Sequence, residues 1–150
     1  MKEEKPHVDF ALQGIKTEQF AIFEDNYMSK KESSLGTELK LKLDQKSKQL
    51  GVFIGFEFTQ GKKVFLKIEV SCHFKIAEKS WNYFIQKQDD SLIIPKDFLA
   101  HLVMMTIGTT RGVLFTKTES TVFSTFIVPA INVTDMIKED ASFDIISDSE

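Results

Sequence analysis

The residues of this 150-residue chain that could do chemistry are three histidines, one cysteine and an adjacent pair of aspartates. His7 lies in a charged terminus, His73 on the polar side of an alternating stretch, and His101 in a helical pattern. No two of them share i, i+4 or similar ligand spacing, and neither Cys-x-x-Cys nor His-Glu-x-x-His occurs, so no metal site is expected. Cys72 alternates with apolar neighbours, which predicts a buried, inert thiol, since a nucleophile wants a base and an exposed electropositive surround. Asp89 and Asp90, between Gln88 and Ser91, read as turn residues rather than an acid/base pair. There is no Gly-x-x-x-x-Gly-Lys-Ser/Thr and no Gly-x-Gly-x-x-Gly to cradle phosphate. These residue types predict no enzyme and no cofactor.

What the chain has instead is aromatic surface. It carries fourteen Phe against two Tyr and one Trp. Phe53 and Phe65 face away from the main apolar stripe of their alternating segments, and Trp81, Tyr83 and Phe84 crowd between Lys79-Ser80 and Gln86-Lys87. Two readings stand side by side. Either a second layer or a partner subunit covers these rings, or they line a groove for extended polypeptide, where apolar burial yields roughly 25 cal/mol per Å² without demanding a particular sequence. An oligomer satisfies both by burying one patch and exposing another.

The elements that must position these residues follow from two periodicities. Leu39, Leu41 and Leu43 alternate with charges, as do Leu50, Val52, Ile54, Phe56 and Phe58 with Gly51, Phe53, Gly55 and Glu57. After a polar turn at Gln60 to Lys63, Val64 to Ile76 alternates again, so the two long segments form an antiparallel hairpin. Val8, Phe10 and Leu12 begin a further strand, interrupted at Gly14, that resumes from Gln19 to Glu24. The polar stretch from Asn26 to Gly36 is a long surface connection, so the first two strands need not be neighbours. Beyond Pro95, Leu99, Leu102, Val103, Ile107, Val113 and Leu114 fall at helical spacing from Lys96 to Glu119, with a break expected near Gly108. Thr134 is the expected cap of a short helix at Asp135 to Lys138.

The net charge of −3 gives non-specific nucleic-acid binding no electrostatic support. A single thiol, no apolar stretch behind Met1 to Pro6 and no run of ~18 apolar residues suggest a cytoplasmic chain that does not insert in membranes. Residues 1 to 137 read as one domain, and 138 to 150 as an acidic, mobile tail.

Several strings resemble the SecB family of export chaperones. Gly36-Thr-Glu-Leu-Lys-Leu-Lys-Leu-Asp44 is similar to that family's second strand and Glu69-Val-Ser-Cys-His-Phe-Lys-Ile76 to its fourth. Thr110-Arg111-Gly112-Val113-Leu114 resembles its long helix, and Ile127-Val-Pro-Ala-Ile-Asn-Val133 the apolar strip that follows. The Arg-Gly form is closer to divergent SecB-like proteins. Gly108 stands where the export chaperones carry a proline, and the tail lacks the second helix expected of the export system.

The resemblance implies an α+β protomer: a four-stranded antiparallel sheet with a long helix on one face, assembled as a tetramer, a dimer of dimers, through helices and first strands. It implies a holdase that binds non-native polypeptide without ATP, possible partners being a translocation motor or an antitoxin. Phe20, Phe23, Tyr27, Phe53, Phe65 and Trp81 are then the expected client contacts. Leu99, Ile107, Leu114 and Arg111 are the expected oligomer interface, with Arg111 pairing inside the assembly. A dedicated single-partner protein on the same scaffold, or an apolar small-molecule binder, are the alternatives.

Overall fold

The computed structural model describes residues 7–145 and has the expected α+β architecture. Strands β1 (Phe10–Ile22), β2 (Ser34–Asp44), β3 (Gln49–Gln60) and β4 (Lys63–Ile76) form one antiparallel sheet in the order β1-β4-β3-β2. Thus the first two strands occupy opposite edges. A short helix α1 (Glu78–Phe84) leads to β5 (Ile85–Gln86) and β6 (Ser91–Ile94), and the long helix α2 (Lys96–Thr118) packs back against β3 and β4. A 3-10 turn at Val122–Thr125, a one-turn helix α3 (Val133–Met136) and strand β7 (Ala141–Asp144) complete the order. Asp89 and Asp90 lie in the turn between β5 and β6, as expected.

Period-two alternation puts Leu50, Val52, Ile54, Phe56 and Phe58 of β3 under α2 with Leu66, Ile68, Val70, Cys72, Phe74 and Ile76 of β4, and all of them are buried. The helix answers with Leu99, Leu102, Val103, Ile107 and Leu114. It runs without a break through Gly108 and Gly112, contrary to expectation. Each glycine costs about 1 kcal/mol relative to alanine, whereas each of those five apolar side chains contributes roughly 1.5–3 kcal/mol on burial, so packing decides. Buried Thr106, Thr110 and Thr118 satisfy their hydroxyls by donating to the carbonyls of Leu102, Thr106 and Leu114, one turn back.

Three further expectations change. β1 is not interrupted at Gly14; extra residues at Gln13 and Glu18 make two register shifts in a continuous thirteen-residue strand. The cap of α3 is Asn132, whose side chain accepts from the Thr134 N–H at 3.2 Å, and the helix starts at Val133. The tail from 138 onward is not a detached appendage: Ala141–Asp144 pairs with β6, and the Ile145 N–H donates to Asp90 at 2.9 Å. Alternating Ala141, Phe143 and Ile145 supply the apolar side that its acidic residues conceal in a simple charge count. Residues 146–150 of that tail lie outside the described residues.

The turn between β2 and β3 carries a testable electrostatic feature. The Asp44 carboxylate accepts from the backbone N–H groups of Ser47 at 3.3 Å and Lys46 at 3.1 Å, and the Ser47 bond first of all holds its pKa below the usual carboxylate range. A depressed folded pKa means stability fully present above the unfolded pKa and lost as pH falls through the folded one. Asp44→Asn keeps the turn's acceptor but cannot titrate. Its melting temperature, followed on acidification, is therefore expected to fall less steeply than the native protein's; identical slopes would refute the assignment.

Candidate functional site

Of the six expected client contacts only Phe23 is open; from the aromatic run at 81–84, Tyr83 is also exposed, at 58%, whereas Phe84 is buried. Phe65 is fully buried. The register of β3 with β4 shifts between Phe58 and Thr59, which leaves Phe65 as the extra residue of a bulge. The bulge brings its ring to the helix side, 4.9 Å from Phe126, 5.1 Å from Tyr27 and 6.1 Å from Phe123. Tyr27 is half-buried in the same cluster, 5.1 Å from Phe123. Phe123 and Phe126 complete the cluster from the 3-10 turn after α2, a role the strand pattern gave no sign of.

Phe53 does face away from the helix, yet it is 7% exposed. Its ring lies over Gly51, edge-on to His73 at 5.8 Å and beneath Lys42 at 4.8 Å. A Cβ at Gly51 would stand 3.0 Å from the Phe53 ring, so the glycine creates the space the ring fills. Phe20 is half-buried with the Lys117 ammonium 5.4 Å from its ring centre. Trp81 is 5% exposed. Phe23 alone among the six is open, at 47%, beside Met28 in the segment that leaves β1. The buried Gln60 side chain anchors that segment, accepting from the Met28 N–H at 2.8 Å and donating to its carbonyl at 3.0 Å.

The expected interface residues are also displaced. Leu99, Ile107 and Leu114 are at most 3% exposed inside the protomer core, so they have no surface left for a second copy. Arg111 is structural, but within its own chain: Nε donates to the Val128 carbonyl at 2.7 Å and Nη2 to that of Pro129 at 2.9 Å. The helix face turned outward carries Met104, Gly108, Gly112 and Phe115, and a Cβ at either glycine would meet nothing within 4 Å. Reading the helix as unbroken would have placed this stripe opposite Leu99 and Leu114 on sequence alone.

One apolar hollow lies at Val8, Ser80 and exposed Tyr83, and two more grooves follow from the elements above. One of about 360 Å³ runs between the outer face of α2 and Phe126-Ile127. The other, of about 470 Å³, is lined by Leu43, Trp81, Ile85, Leu92 and Ile145, with Asp44, Gln45 and Lys46 at its rim. Trp81 therefore presents little surface, but presents it to a groove.

The outer sheet face is polar. Lys40 meets Glu69 at 3.0 Å and Lys67 meets Glu57 at 3.2 Å, and the Glu69 carboxylate holds the Lys40 ammonium above its usual pKa. Ser71, His73 and Glu18 form a chain there. Ser71 Oγ donates to Glu18 at 2.8 Å and lies 2.9 Å from His73 Nε2, so its one proton is committed to the carboxylate and His73 meets it as a donor. In a nucleophilic triad the acid would hold the histidine instead. With Ser71 fully buried, the chain ties β1 to β4. Cys72 is buried, and no group of three or more His, Cys, Asp or Glu side chains is placed to hold a metal among the described residues. Compared with known proteins, the sequence matches no family model and no curated protein.

Proposed function

We propose that this chain is an ATP-independent holdase of the SecB-like type, cytoplasmic and homo-oligomeric, that binds non-native polypeptide. The observation that carries the reading is the open apolar groove at Trp81. It offers apolar contact to a large side chain of an extended segment. Exposed Phe23 and Met28 supply a second apolar contact at the start of the loop after β1. The outer stripe of α2 supports assembly, because Gly108 and Gly112 let another surface approach the helix backbone while Met104 and Phe115 flank it. The sheet-and-helix architecture is the one the SecB resemblance implies. A client bound only while unfolded is kept unfolded by mass action, and no nucleotide is needed.

The test follows light scattering from a denatured client diluted into the purified protein. Suppression at stoichiometric excess is expected, and none would overturn the proposal. Phe23→Ser removes an open ring without touching the core, so folding stability is expected to stay within about 0.5 kcal/mol. Client affinity is expected to fall about tenfold, the equivalent of losing the ring's remaining burial of roughly 1.4 kcal/mol. A single dominant partner on co-purification, in place of many chains, would instead assign the scaffold to one dedicated ligand.

A further inference from the structure

The two edges of the large sheet are unlike. β1 pairs with β4 alone and is bulged at Gln13 and Glu18, which breaks the flat row of backbone groups that a new strand needs. β2 pairs with β3 alone and keeps unbroken register over all eleven residues, Ser34 to Asp44. A long, regular, unpaired edge is a template for another strand. On its helix side stand Leu35, Thr37, Leu39, Leu41 and Leu43, the leucines only half-buried; on the other stand Glu38, Lys40 and Lys42.

We propose that β2 pairs antiparallel with β2 of a second copy about a two-fold axis at Leu39, joining two four-stranded sheets into one of eight. Leu39 is the midpoint of the strand, so this register alone uses every residue from Ser34 to Asp44. It sets Leu35 opposite Leu43 of the second copy, Leu39 opposite Leu39, and Thr37 opposite Leu41. On the polar side it sets Glu38 opposite Lys40 of the second copy, twice by symmetry. Slipping the axis to Leu41 shortens the overlap, faces Lys40 with Lys42 and faces Glu38 with Asp44, so like charges oppose it. The nearest slips, to axes at Glu38 or Lys40, shorten the overlap to nine residues and set Glu38 against Glu38 or Lys40 against Lys40, and a slip to Thr37 shortens it further and leaves Lys40 opposite Ser34. Side-chain charge and strand length thus select one register, and the same strand supplies both halves of it. The SecB resemblance implies first strands at the interface; the bulges of this β1 and the regular β2 favour the second.

The contact rests on the preceding reading only for the existence of an assembly. Size exclusion with light scattering is expected to give a mass of two chains or a multiple of two. Glu38→Lys or Lys40→Glu alone places like charges across the axis twice, and each is expected to weaken association about tenfold. An equimolar mixture of those two variants restores opposite charges in every mixed pair and is expected to recover the native mass, which a defect inside the protomer would not do. Leu39→Cys is expected to cross-link on oxidation and Leu12→Cys is not, and this measurement decides even where a charge variant fails to fold. A monomer, a mixture no tighter than its components, or a cross-link through Leu12→Cys in place of Leu39→Cys would overturn the contact. An even mass with no Leu39→Cys cross-link overturns this contact and leaves assembly through α2 standing. A cross-linked dimer that fails to suppress client aggregation overturns the holdase reading and leaves the contact standing.

Discussion

Phe65→Ala is expected to cost about 3–5 kcal/mol of folding stability, the range for truncating a fully buried aromatic ring. The ring has no exposed surface, so the substitution opens a cavity rather than trimming an edge. Three elements meet on it: Tyr27 from the segment after β1, Phe58 from β3, and Phe123 with Phe126 from the turn after α2. None of these can collapse into the gap without withdrawing from the others. Relaxation is therefore limited, and the cost lies toward the upper end of the range. Phe65→Leu refills part of the volume and is expected to recover part of the loss. Chemical denaturation measures both. A loss below about 1 kcal/mol for the alanine variant would mean that the ring is open, which is the role the strand pattern first suggests for it. The contrast with Phe23→Ser separates two kinds of aromatic residue in one chain. Truncating the first is expected to lower stability and, under the proposed function, to leave client binding unchanged where the protein is folded; truncating the second is expected to do the reverse.

The difference between these two rings marks how far the sequence could be read. Strands β2 to β4 are legible because alternation sorts their side chains between a packed face and a charged one, and Leu39, Ile54 and Val70 all fall where the period puts them. Alternation fails at Phe65 because one extra residue re-aims a side chain, and no residue type announces a bulge there. It also fails at Phe53, for a different reason: the face is the one expected, but Gly51 opens a recess on an otherwise polar surface. In α2 the apolar spacing is plain. Local propensity counts each glycine at about 1 kcal/mol against the helix, and the tertiary burial that opposes it is several times larger. The strand at Ala141–Asp144 is only four residues long and half polar, so only its partner β6 makes it a strand. The candidate site is less legible than the fold for a general reason. A groove belongs to residues far apart in sequence, as Leu43, Trp81 and Ile145 are, and no local period encodes their meeting.

Replacing Arg111 with alanine is expected to remove about 2 kcal/mol of stability and to loosen one segment more than the rest. Its guanidinium donates to two successive carbonyls, those of Val128 and Pro129, and so clamps the chain after α2 to the helix. A hydrogen bond from a charged donor contributes roughly 1.5–3 kcal/mol. The bond to Val128 is partly buried and is worth most of that, whereas the bond to Pro129 is exposed and adds little. Lysine reaches as a single point and cannot reproduce the planar fork, so Arg111→Lys is expected to fall between alanine and native. Hydrogen exchange localises the effect: amides of residues 126–133 are expected to gain exchange well beyond those of β3, because the clamp is local and the sheet is not. An Arg111 that acted between subunits would give a different signature. The stability difference between variant and native would then grow as the protein is diluted, through mass action on the assembly. A difference that holds constant across concentration places the clamp within the protomer. There it shapes one wall of the groove formed by Gly108, Gly112 and Phe115 with Phe126 and Ile127, and so sets the surface that the outer face of α2 presents.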